Sequence, residues 1–231
     1  MLNAVIVAHG QPSDPAPAEA ALARLADEID QLTDWVHVTS ATLAAPEALE
    51  QVLDGLAGAA VIYPLFMAKG WFVTSALPKR VDGRDVRILD PLGTDPDLPR
   101  IAATALSEQL DQRGWRADET DLVIAAHGSG RSRNPSAVAH DFADKLAGLV
   151  PFHSVRAGFV EEAPSISDAA RGARETALCL PFFACTGGHV LDDVPTELAR
   201  AGFRGLQLPV VGELGVVKHR IATVLEAEAT R

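Results

Sequence analysis

The chain is short of cysteine, of cations and of long apolar runs, and each shortage narrows what it can be. It carries 2 cysteines in 231 residues. Cys179 and Cys185 lie inside or just after an apolar stretch, without the C-x2-C spacing of a structural zinc site or a redox pair. Both are expected to be core thiols. Lysine and arginine number 20 against 31 acids, for a net charge of −11. That balance argues against general nucleic-acid binding, which needs a positive field over the phosphate backbone. A polyanionic small substrate would need a local basic patch. No run approaches the ~20 apolar residues of a membrane span, and Met1-Leu2-Asn3 leads into a strand without a basic leader. A cytoplasmic protein with no membrane partner is expected.

What is present is ordinary material for a sizeable core, with 48% hydrophobic and 22% charged residues. Apolar runs of strand length alternate with longer stretches of helical period, the pattern of a parallel sheet covered by helices. "AVIVA" (4–8) is apolar throughout, as a strand buried on both faces should be. Leu22, Leu25, Ile29 and Leu32 then recur at helical spacing over 18–32. "DWVHVTSA", "AAVIY" and "VRILD" read as three further strands, with helices near 46–56, 72–80 and 97–113.

The second half of the chain repeats the first. "DLVIAAHG" (121–128) copies "NAVIVAHG" (3–10), "LPFF" (180–183) copies "YPLF" (63–66), and "LQLPVVG" (206–212) copies "RILDPLG" (87–93). The offsets are 118 for His9 to His127, 117 for Pro64 to Pro181 and 119 for Gly93 to Gly212. A nearly constant offset over three motifs predicts two similar α/β halves from internal duplication, each a flavodoxin-like, doubly wound parallel sheet. The expected division is 1–115 and 116–231, within the polar stretch "QRGWRADET" (112–120).

Open parallel sheets place ligands at the carboxyl ends of their strands. His9 and His127 stand there, each at the end of its half's first strand. Only the second half adds partners. Glu161 and Glu162 follow its second strand, where alignment of the repeats puts Leu43 and Ala44 in the first half. His189 follows its third strand, where the first half has Phe72. His127, Glu161 and His189 are therefore expected to converge on one cleft. Two neutral imidazoles and a carboxylate bind a divalent first-row metal and leave coordination positions open. The plainer alternative keeps Glu161 as a helix-start acid and His189 as an ordinary helix-entry residue.

"HGSGRSRNPS" (127–136) reads as a loop leading into a helix capped from Asn134. Its Arg131 and Arg133 would be the basic patch that holds substrate carboxylates, or two solvated loop arginines. The glycines there do not complete a G-x-G-x-x-G, and no Walker lysine follows. Gly187 and Gly188 would let a large flat ligand come close.

"AHGS" (126–129), "VEEAP" (160–164) and "LPFFACTGGHVLDDVP" (180–195), in this order in a duplicated α/β frame, resemble the class II tetrapyrrole chelatases, the sirohydrochlorin cobaltochelatases and ferrochelatases. The resemblance spans essentially the whole chain. It implies insertion of Co2+ or Fe2+, the metal being a substrate, into a sirohydrochlorin-type tetrapyrrole held between the halves, without a nucleotide cofactor. It makes His127, Glu161 and His189 the catalytic and metal-holding residues and leaves Glu162 unassigned. Ser129, Arg131, Arg133, Gly187 and Gly188 become the residues next to the tetrapyrrole. The first half, with Phe72 in place of the histidine, becomes a degenerate site that supplies the opposing wall, with Met67, Trp71 and Phe72 either touching the ring or, for the aromatics, simply packing. Short members of the family dimerise one half, which would explain the internal repeat as fusion after duplication; a monomer or a homodimer is expected. Two rival readings are a non-catalytic metal or tetrapyrrole carrier and a flavodoxin-like binding module without metal.

Overall fold

The computed structural model describes residues 1–129 and 134–231. Its elements are β1 (Leu2–Ala8), α1 (Pro15–Asp30), β2 (Val36–Thr42), α2 (Ala48–Gly55), β3 (Ala60–Pro64), α3 (Leu77–Arg80), β4 (Val86–Ile88) and α4 (Leu98–Arg113). There follow β5 (Asp121–Ala126), α5 (Asn134–Leu149), β6 (Ser154–Phe159), α6 (Ile166–Ala170), β7 (Ala177–Phe182), α7 (Val194–Arg200), β8 (Leu206–Gln207) and α8 (Gly215–Ala229). The strands form two four-stranded parallel sheets, in the orders β2-β1-β3-β4 and β6-β5-β7-β8. Two similar α/β halves are thus present.

The sheet register reproduces the sequence offsets strand by strand. Asn3 pairs with His37 and Ala60, and Asp121 pairs with Ser154 and Ala177. Beyond them, Val61 pairs with Arg87 and Leu178 with Leu206. The glycines that close each repeat do the same job twice. Gly93 N–H donates to Phe66 O at 3.0 Å and Gly212 N–H to Phe183 O at 3.1 Å. A Cβ on either would collide with the backbone carbonyl of Met67 or Ala184, so only glycine lets these segments lie so close.

Local chemistry explains most element ends. Helix α1 starts at Pro15, whose missing N–H costs nothing in a first turn. It is shifted from the expected 18–32, and Leu32 lies beyond it, partly exposed. Leu22, Leu25, Ala26 and Ile29 form its buried stripe. Helix α4 ends at Gly114 in the left-handed conformation. The expected helix over 72–80 is a π-helical turn, Phe72–Ala76, running into α3, and His189–Asp193 repeats that turn ahead of α7.

Packing groups the chain differently from the repeat. One compact unit is Met1–Asp95 together with Val217–Arg231, and the other is Pro96–Val216. The expected halves 1–115 and 116–231 follow the duplication, but α4 packs with α5 in the second unit while most of α8 belongs to the first. In the first unit, Val5, Val7, Leu49, Ile62 and Leu77 form a buried cluster on one face of the sheet. Glu226 of α8 accepts from the backbone N–H of Asp34 and Trp35 at 2.6 and 2.9 Å. In the second unit, Val123, Ala125, Ile166, Cys179 and Val194 form the corresponding cluster.

Candidate metal centre

His127 and Glu161 stand just past strand ends, and His189 comes after the loop that follows β7. His127 follows β5, and Gly128 after it has φ +70°. The positive φ favours glycine, and a Cβ there would lie 2.7 Å from Glu162 Oε1 and push that carboxylate aside. This turn folds the Gly128 carbonyl back to the ring, where it accepts from His127 Nδ1–H at 3.0 Å. His127 Nε2 is thereby left as the ring's lone pair. Glu161 is held by its backbone N–H, which donates to His127 O at 3.0 Å. His189 opens the π-helical turn, and its Nδ1–H donates to Asp193 Oδ2 at 2.7 Å, again leaving Nε2 bare.

The two bare nitrogens face each other at 3.1 Å, with the rings edge to face at 86°. Two lone pairs at that distance call for a proton or a cation between them. Metal–nitrogen bonds of roughly 2.0–2.1 Å meeting at about 100° would span such a gap. Glu161 Oε2 lies 3.9 Å from His127 Nδ1. One donor atom from each of His127, Glu161 and His189 lies within 4.8 Å of the others, the one such group among the described residues. The three side chains are 42%, 47% and 44% exposed. The group is therefore exposed enough to admit a ligand, and three donors would leave a bound ion with open coordination positions.

The neighbouring residues divide into supports and non-participants. Glu162 is a support: its Oε1 accepts from Ser129 N–H at 2.7 Å, fixing the segment after His127. Glu213 accepts from Thr186 N–H at 2.6 Å and from its hydroxyl at 2.9 Å, bracing the approach to Gly187 and Gly188. Gly187 looks onto open space, and Gly188 has ordinary helical angles. Arg131 and Arg133 lie outside the described residues. The cysteines stay protonated near neutrality. Burial pushes the Cys179 thiol up to about 12, and burial with the charge of Glu213 pushes Cys185 up to about 11. Neither is a thiolate ligand.

The first unit shows the same frame without the donors. His9 Nδ1–H donates to Gly10 O at 2.8 Å, and Gly10 has φ +75°. Phe72 stands edge to face with His9 at 4.3 Å between ring centres and 70°. Phe66 and Trp71 pack on Phe72, with Trp71 largely exposed. The backbone corrects the sequence alignment at the missing acid. Ala44 N–H donates to His9 O as Glu161 N–H does to His127 O, so the counterparts of Glu161 and Glu162 are Ala44 and Ala45, not Leu43 and Ala44. Leu43 instead packs against the first unit's core. Sequence reading also passed over Asp193, although its position four residues after His189 on a helical segment was a usable signal.

The CbiX family model matches residues 3–109 and 121–231. A Halobacterium salinarum (strain ATCC 700922 / JCM 11081 / NRC-1) protein named "Probable sirohydrochlorin cobaltochelatase" is 26% identical over 220 residues, covering 84% of this chain and 75% of that protein. The solved structure of CbiX, described as the terminal enzyme for biosynthesis of siroheme in denitrifying bacteria, is 46% identical. It superposes with a TM-score of 0.87 over 97% of this chain and 98% of that one. DR2241 from Deinococcus radiodurans, a multi-domain protein with structural similarity to chelatases, shares the fold at a TM-score of 0.73 and 21% identity. This chain spans 98% of its own length in that match and 54% of DR2241. With its family model matched in both halves, the chain belongs to the CbiX family.

Proposed function

We propose that this chain is a metal chelatase that inserts a divalent metal ion, Co2+ or Fe2+, into a sirohydrochlorin-type tetrapyrrole, a step of cobalamin or siroheme biosynthesis. The observation that carries the reading is the pair of bare imidazole nitrogens 3.1 Å apart beside the Glu161 carboxylate, at the carboxyl edge of the second sheet. The relatives named for this reaction support the choice of substrate.

The chemistry needs little beyond these residues. The metal ion enters partly hydrated and exchanges waters for His127 Nε2, His189 Nε2 and a Glu161 oxygen. Such a three-donor set binds without enclosing, and a closed four-ligand site would keep the ion. The four ring nitrogens then replace the protein donors as two pyrrole N–H protons leave. The imidazoles, freed as the metal departs, serve as proton acceptors, with the carboxylate as a further acceptor. No nucleotide takes part in this scheme. Ser129, Arg131, Arg133, Gly187 and Gly188 line the tetrapyrrole in the proposal, the arginines pairing its peripheral carboxylates. Repeat 116–231 is the working half, and 1–115 keeps the fold with a degenerate site. No helix among the described residues is long and apolar enough to cross a membrane, and the proposed place of action is the cytoplasm, as a monomer or homodimer.

The test is an anaerobic absorbance time course with sirohydrochlorin and Co2+ or Fe2+, beside a His189→Ala variant and a no-enzyme control. Removing one donor and proton acceptor is expected to cost on the order of 10²-fold or more in rate. Wild-type protein that binds both partners without accelerating metallation would make the chain a carrier instead.

A further inference from the structure

We infer that Asp193 is a positioning residue of this site, whose carboxylate sets the tautomer and rotation of His189 and so holds its Nε2 against that of His127. The contact is direct, Asp193 Oδ2 lying 2.7 Å from His189 Nδ1. A carboxylate only accepts, so Nδ1 carries the proton and Nε2 is presented bare. Metal-binding histidines are commonly oriented in this way by an acid on their far nitrogen.

The first unit supplies the control. Its π-helical turn, Phe72–Ala76, is built like His189–Asp193, with Leu77 N–H donating to Phe72 O as Val194 N–H does to His189 O. Phe72 stands where His189 stands, and Ala76 where Asp193 stands. The turn therefore forms without an acid in its last position. Asp193 side chain is 46% exposed, so it is not a core tie either. The acid is present where the imidazole is present and absent where it is absent. His127 needs no such partner, because its Nδ1–H is held by the backbone carbonyl of Gly128, as His9 is held by Gly10.

The inference rests on the chelatase reading only for its effect on insertion, since metal binding can be read alone. Co2+ is titrated anaerobically into the full chain without tetrapyrrole, following its visible ligand-field bands, for wild type, Asp193→Ala and Asp193→Asn. Asp193→Ala is expected to bind Co2+ about 10- to 100-fold more weakly, with altered bands. Asp193→Asn keeps an oxygen that accepts from Nδ1–H and is expected to fall between the two, with bands close to wild type. The rescue by an isosteric acceptor is what a merely structural role would not give. Equal Co2+ affinity and bands in all three proteins would overturn the inference, as would absence of Co2+ binding in wild type. If Asp193→Ala does not fold, the Asn variant decides: weaker binding with wild-type-like bands supports the inference, and unchanged affinity overturns it. Wild-type protein that binds Co2+ but metallates no tetrapyrrole would remove the chelatase reading and leave the role of Asp193 intact.

Discussion

His9 with Phe72 and His127 with His189 are the same pair of rings on the same backbone, at 4.3 Å and 70° in one unit and 4.5 Å and 86° in the other. One pair is a packing contact, and the other sets two ring nitrogens against each other. The strand-end histidine, its left-handed glycine and the π-helical turn are common to both, so the frame does not depend on metal chemistry. Three side chains separate the two: Ala44 against Glu161, Phe72 against His189, and Ala76 against Asp193. The scaffold aims two rings at each other whatever they are made of. A nitrogen in the second ring, an acid behind it and an acid beside the first are what the proposed site adds to that geometry.

The comparison is broken most severely by removing a piece of one unit. Val217, Ile221, Ala222 and Leu225 of α8 are nearly fully buried, and residues 217–231 pack with the first unit. Deleting them strips three large apolar side chains from that unit, and at roughly 1.5–3 kcal/mol each the loss is about 5 kcal/mol or more. That approaches the whole stability of a typical domain. Limited proteolysis of the truncated chain is therefore expected to cut first within 1–95 and to spare 96–216, although the deletion is at the other end of the sequence. Cleavage concentrated in 116–216 instead would show that the chain is organised by its repeats.

That helix exchange also marks where sequence reading stopped. The repeat was legible because duplication preserved strand ends, and the sheet register keeps the same 117–119 spacing. Glu161 and His189 could be picked out because their counterparts in the first repeat are apolar, and His127 because it shares its strand-end position with His9. Which sheet α4 and α8 cover was not legible, since an amphipathic helix reveals that it has a buried face but not its neighbour. The one-residue error at Leu43 has a similar cause. Glu161 and Ala44 follow strands in bends without a periodic pattern, and only the hydrogen bonds to His127 and His9 carbonyls fix their equivalence. Asp193 was passed over because "LDD" (191–193) offers two acids, three and four residues after His189, and helical spacing narrows the choice to these two without deciding between them.

A smaller effect sharpens the contrast between two adjacent glutamates. Glu161 lies with the donors, whereas the Glu162 carboxylate is committed to Ser129 N–H beside the Gly128 turn. Glu162→Ala removes one charge-assisted hydrogen bond, worth about 1.5–3 kcal/mol, and loosens the segment that aims His127. Co2+ affinity is expected to fall by about 10-fold at most, with Glu161→Ala costing more because it removes a donor. A Glu162→Ala loss equal to or larger than the Glu161→Ala loss would reverse the two roles.

The smallest effect lies at the opposite sheet edge, where Asn3 and Asp121 are counterparts. Asn3 Nδ2–H donates to Ala57 O at 2.9 Å. Asp121 is buried and accepts from the Ser154 hydroxyl at 2.6 Å and from Arg174 N–H at 2.9 Å. Burial pulls its carboxyl pKa upward, but the Ser154 and Arg174 hydrogen bonds and the charges of Arg156 and His153 outweigh it, leaving the group below the usual carboxylate range. A depressed native pKa means that the ionised form stabilises the fold. The contribution is complete above the unfolded value of about 4 and is lost as pH falls through the native value. Asp121→Asn gives the second unit the first unit's residue and is expected to cost about 1 kcal/mol at pH 7 in urea unfolding. The gap should hold from pH 7 to pH 5, begin to narrow below about pH 4 and close as pH falls through the depressed native value, where wild type also carries a neutral side chain. A gap that stays constant down to pH 3 would assign the cost to shape instead of charge, and the two sheet edges would then differ only in which neutral hydrogen bonds they make.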